Sequence, residues 1–172
     1  MKFKNLWSII SGMLLMAILS SCTKEGVDLF EGNYSFKTSG TLTVEKTLLE
    51  SIDESAEPTT ETLALTTESG QMNILKEDDS HVIITMNIIG SDVLVMKAEV
   101  GKDILNLTDA RRTVSLRDGT ATATLDCTVS GYAKKYDDTV IFTLHYEGAG
   151  SSTLHNYTIT SSEVTSVARI NK

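Results

Sequence analysis

From residue 30 onward apolar residues recur at alternate positions, the period of a strand with one buried face. Residues 139–147 place Val140, Phe142, Leu144 and Tyr146 on one side, with Thr139, Thr143 and His145 on the other. Residues 121–131 do the same, setting Ala123, Leu125, Cys127 and Val129 against Thr122, Thr124, Asp126, Thr128 and Ser130. In residues 81–89 the apolar side is Val82, Ile84, Met86 and Ile88. Ile83 and Ile89 on its other side predict that part of this strand is covered twice. No segment keeps i, i+3, i+4, i+7 spacing for three turns, so the pattern predicts an all-β domain.

Short polar pairs punctuate the alternation: Ser69-Gly70, Asp78-Asp79, Gly90-Ser91, Gly101-Lys102, Asp118-Gly119 and Ser161-Ser162. Asp118-Gly119 is the strongest hairpin signal, of the turn type that needs positive φ at both central residues. Strands joined this tightly are antiparallel neighbours, which makes the topology a meander. The count is roughly eight to eleven strands, depending on whether residues 32–46 form one bent strand or two. A twisted meander of that length curls, and closure removes its exposed edges. The expected fold is a barrel of about eight to ten strands, with a two-sheet sandwich as the alternative. Residues 50–61 interrupt the pattern with Glu50, Asp53, Glu54, Glu57, Glu61 and Pro58, and read as a solvated loop with one helical turn near residues 48–54.

The first residues obey a different rule. Lys2 and Lys4 precede an apolar run over residues 6–19 that is too short to span a bilayer and is followed at once by small residues. This is the pattern of a secretory signal over residues 1–21. Leu19-Ser20-Ser21-Cys22 resembles the lipobox of bacterial lipoproteins. That resemblance implies a lipid on the Cys22 thiol, cleavage before it, and a membrane partner reached through three acyl chains. Thr23 after the cysteine implies the outer membrane, with the periplasmic face or the cell surface left open. Residues 22–28 then form a lipidated tether, and residues 29–172 a single domain, close to the membrane.

Loss of residues 1–21 removes two lysines and no acid, which takes the formal charge from −8 to −10. An acidic chain of this kind is a poor partner for nucleic acid, which needs a basic face. With Cys22 acylated, Cys127 is left without a partner inside the chain. Its parity with Leu125 and Val129 points it inward as a small hydrophobe.

Gly32-Asn33-Tyr34 resembles the Gly-x-Trp motif that opens the first strand of lipocalins, with tyrosine replacing tryptophan. In that family a basic residue of the last strand lies across the ring, which implies a barrel-closing pair of Tyr34 and Arg169. Over roughly residues 30–170 the chain resembles the calycin-like (lipocalin-like) lipoproteins of gut anaerobic bacteria. The resemblance implies a barrel, in some members with an internal ligand cavity.

Candidate chemistry is sparse. His81, His145 and His155 lack metal-ligand spacing, and no nucleophile elbow, phosphate loop or zinc signature occurs, so no catalytic, metal or cofactor site is expected. Tyr132, Lys134, Lys135 and Tyr136 read as a loop able to contact a glycan or protein, and Asp138-Thr139-Val140 resembles an O-glycosylation acceptor centred on Thr139. The expected function is non-enzymatic binding of a small apolar or amphipathic ligand inside the barrel. The alternative is a filled barrel that binds an envelope glycan or protein.

Overall fold

A computed structural model describes residues 25–49 and 57–171. A short helix, α1 (Val27–Phe30), precedes nine strands: β1 (Gly32–Leu48), β2 (Thr59–Ala64), β3 (Glu68–Lys76), β4 (His81–Ile88), β5 (Leu94–Val100), β6 (Ile104–Asp118), β7 (Ala121–Tyr136), β8 (Thr139–Ser151) and β9 (His155–Ile170). Every pairing is antiparallel, and the sheet returns on itself because β9 pairs with β1 from Leu48↔His155 to Tyr34↔Ile170. The expected meander is therefore present, and its hydrogen bonding forms a barrel-like ring.

β2 and β3 pair with the same edge of β1, at Thr41↔Ala64 and Thr38↔Glu68, so they are two halves of one return strand. The ring thus has eight walls of unequal height. Residues 32–46, left open between one strand and two, are continuous in β1, with a register shift at Thr43/Val44.

Several turns differ from expectation. Ser69-Gly70 lies within β3, where Gly70 has ladder partners on both sides, and Ser161-Ser162 within β9, where β1 supplies the partners; the ladders outweigh local turn chemistry. Asp118 pairs with Ala121, so the β6–β7 turn is centred on Gly119-Thr120 and only Gly119 takes positive φ, at 59°. At the opposite end Tyr136 pairs with Thr139 around Asp137, whose φ is 50°. Glu61, assigned to the acidic loop, sits in β2, where Lys46 reaches it at 3.3 Å. Leu48 belongs to β1. Residues 50–56 lie outside the described residues.

The expected inward faces of β4, β7 and β8 are all buried. Ile89 is not part of a covered second face; it follows the end of β4 and is 79 % exposed. Phe30, Tyr34, Phe36, Phe142, Tyr146 and Tyr157 all point into the ring, whereas Tyr132 and Tyr136 are exposed. α1 closes one end: Val27 and Phe30 are buried, and the Tyr34 hydroxyl donates to the Phe30 carbonyl at 2.6 Å. Val27 therefore belongs to the domain rather than to the tether, because its side chain joins the core. At the other end Asp118 accepts from Lys46 at 2.5 Å and from the Tyr157 hydroxyl at 2.8 Å. The Lys46 hydrogen bond first, and then that of Tyr157, outweigh the partial desolvation and hold the Asp118 carboxyl below the usual carboxylate range.

Candidate functional site

The unequal walls leave a slit. β4 and β5 form a short hairpin that ends near Ile88–Leu94 level, while β6 continues to Asp118. Beyond the hairpin tip, β6 meets the return strand directly at a single bridge, Leu65↔Leu116. Between tip and bridge lies a hollow of about 210 Å³ bordered by residues 65–68, 88–91 and 112–115.

One ion pair spans it. Arg112 projects from β6 and Glu68 from the start of β3, with Nη1 2.9 Å from Oε2 and Nη2 2.5 Å from Oε1. This fork-to-fork arrangement is the strongest ion-pair geometry available to an arginine. The side chains are only 8 % and 15 % exposed. Behind them the Tyr146 hydroxyl, from β8, lies 3.5 Å from Arg112 Nη1. Burial alone pulls the guanidinium down, but the Glu68 hydrogen bonds and nearby charge more than offset it, and Arg112 stays charged.

A β-bulge explains how an arginine comes to face inward. Leu105 and Leu107 point into the core at odd positions. The register then shifts between Leu107 and Ala110, after which Ala110, Val114 and Leu116 point inward at even ones. Arg112 inherits that even parity. Glu68 likewise shares parity with the buried Met72 and Ile74. Both residues were missed by motif reading; a charge on the apolar parity of a strand was the signal that could have found them.

Cys127 lies opposite Arg112 on β7, and its thiol is 3.8 Å from the Leu125 carbonyl. Burial pushes this thiol up to about 11 despite the pull of Arg112, and burial takes the hydroxyls of Tyr34 and Tyr146 up to about 12. None of these groups is poised to exchange protons near neutrality. The cluster holds a wall together.

Its pH signature has a definite sign. Each of these three acids has a folded pKa above its unfolded one, so its stabilising contribution is complete below about pH 9 and is lost as pH rises towards about 12. The urea midpoint is therefore expected to fall across that window. At pH 8 a thiol reagent should label Cys127 only as fast as the chain opens, and immediate stoichiometric labelling of the native protein would contradict this placement.

The other candidates disperse. The cation over the Tyr34 ring is Lys135, with Nζ 5.5 Å from the centroid and 3.3 Å from the hydroxyl. Arg169, expected there, is exposed and lies opposite Ser35 and Thr139, because alternation along β9 turns it outward while its neighbour Ala168 is buried. Residues 132–136 belong to β7 rather than to a loop; Tyr132, Lys134 and Tyr136 form an outward stripe, and Lys135 turns towards the barrel end. Thr139 begins β8 beside the turn, half-buried. His81 Nδ1 lies 2.9 Å from Asp78 at the β3–β4 turn, His155 meets the edge of the Tyr157 ring, and His145 is exposed on β8. Cys22 and the residues preceding it lie outside the described residues.

No family model matches this chain, and no curated protein is significantly similar to it.

Proposed function

We propose that the chain is a lipid-anchored module of the bacterial outer membrane that binds an envelope protein or glycan through its outer surface, without catalysis. The observation that carries this reading is the packed interior. Tyr34, Phe36, Phe142, Tyr146 and Tyr157 fill the ring from three strands, with Met72, Met86 and Met96 added from β3, β4 and β5, all buried. A carrier of small ligands needs an enclosed cavity of roughly 300 Å³ or more. The hollows at the slit and over β6–β8 instead open outward. The Tyr132, Lys134, Tyr136 stripe adds an exposed face of the amphipathic kind that partners engage.

The address rests on Leu19-Ser20-Ser21-Cys22 and on the resemblance to calycin-like lipoproteins, with a membrane partner held through Cys22. The test uses the full chain, expressed in a Gram-negative host and purified in detergent. An alkyne-tagged palmitate is expected to label the wild type and not Cys22→Ser. A fluorescent fatty-acid analogue is expected to partition only into the micelles. Saturable one-to-one uptake of that probe by the protein would replace this reading with internal ligand carriage.

A further inference from the structure

We infer that the outer face of β7, β8, β9 and β1 near the α1 end rests on an anionic lipid surface, so that the anchored barrel lies on this wall rather than standing on its end. This names the membrane as the partner of the Tyr132, Lys134, Tyr136 stripe, and it rests on the lipid-anchor premise of the proposed function.

Ladder register sets the outward side chains of these four strands in rows. One row reads Lys134, Ile141, Val167 and Lys37 across the strands. The row towards α1 adds Tyr136 and Arg169, and the row on the other side adds Tyr132; every other position of the three rows is serine or threonine. At ordinary strand spacing the face measures roughly 14 Å each way. It holds no acid, and in a chain at −8 that is a local reversal of sign. Lys37, Lys134 and Arg169 are exposed, and among the described residues none of them is in an ion pair. Asp137 and Asp138, in the turn beyond Tyr136, bound the face on the α1 side.

The side chains are those of a membrane interface. Tyrosine joins an apolar ring to a hydroxyl and settles at headgroup level; Tyr132 and Tyr136 are 38 % and 56 % exposed. Lysine and arginine lay their stems along apolar surface while their charge reaches lipid phosphate. Ile141 and Val167, half-buried between Lys134 and Lys37, supply that apolar centre.

The anchor decides between lipid and other anions. Gly26, which caps α1, is four residues from Cys22, a reach of roughly 14 Å at most. α1 leads directly into β1, which forms one side of the face. Lipid held within that reach is an intramolecular partner, at an effective concentration far above that of a free glycan or protein. Standing upright would instead press Asp28, Glu31, Asp78, Asp79 and Asp103, at the α1 end, against the same negative surface.

The test uses the full, lipidated chain in nanodiscs of phosphatidylethanolamine and phosphatidylglycerol that contain a headgroup-spin-labelled lipid. Paramagnetic broadening of amide signals is expected over residues 35–39, 132–143 and 165–169. It is expected to fall about threefold or more in about 0.5 M salt, and in discs of zwitterionic lipid alone, while α1 stays broadened. The triple variant Lys37→Glu, Lys134→Glu, Arg169→Glu, at exposed positions, should show the same loss. Broadening confined to α1 and the turns at its end, broadening of another wall, or an unchanged pattern in zwitterionic discs overturns the inference. Self-association that covers the face with a second copy overturns it as well. If alkyne-tagged palmitate labels the wild type at Cys22 and the face is not broadened, the anchor stands without this contact; no labelling removes both.

Discussion

Glu68→Ala is expected to lower the unfolding free energy by about 3–5 kcal/mol, the cost of leaving a buried charge without its partner. The carboxylate it removes engages both terminal nitrogens of Arg112, whose side chain is 8 % exposed and has, among the described residues, the Tyr146 hydroxyl at 3.5 Å as its further hydrogen-bonding contact. Water cannot replace a forked carboxylate inside a slit of this size without opening the wall. The same reasoning makes the pair itself dispensable. Combining Glu68→Leu with Arg112→Met replaces two desolvated charges by apolar groups of similar length, and is expected to recover most of the loss. Urea melts of the two single variants and the double variant give the coupling directly. A loss below about 1 kcal/mol in Glu68→Ala would mean that the pair is solvated like a surface bridge.

Phe142→Ala is expected to cost about 3–5 kcal/mol, towards the upper end of that range. Phe142 is fully buried between Ala133 on β7 and Ser166 on β9, and Ser166 lies opposite Thr38 on β1. Thr38 and Ser166 are themselves buried and bonded to each other at 2.8 Å. Small, already paired neighbours cannot swing into the vacated volume, so the cavity persists. Phe142→Leu retains most of the volume and should cost far less, and a thermal melt of the three proteins ranks them.

Much of this architecture was legible because alternation is enforced by burial. Val140, Phe142, Leu144 and Tyr146 had no other arrangement that buried all four. What escaped reading were features set by tertiary context. Ser69-Gly70 and Ser161-Ser162 have turn chemistry but sit in ladders, since pairing along a long neighbouring strand outweighs weak local preference. The bulge between Leu107 and Ala110 flips the parity of β6, and without it Arg112 would face water. Tyr34 is buried, and the cation over its ring comes from β7, where Lys135 faces the same end of the barrel, and not from Arg169 of β9. The slit was invisible for a simpler reason: it is the difference in length between a short hairpin and a long strand, and no residue encodes it alone.

The pairing of β1 with β9 also dictates an order of events in time. Tyr34 finds its ladder partner Ile170 only when nearly the whole chain is present, and the two strands join at fifteen register positions. Contacts so distant in sequence require an expensive loop closure before they return any stabilisation, which places folding among the slower single domains. Emergence of the last strand from the ribosome is then the event that licenses folding. Until β9 arrives, β1 and β8 are bare edges, and the chain remains extended and easily threaded. A stop codon before residue 155 would leave that wait without an end, and such a product is destined for aggregation or proteolysis rather than for a smaller version of the same fold.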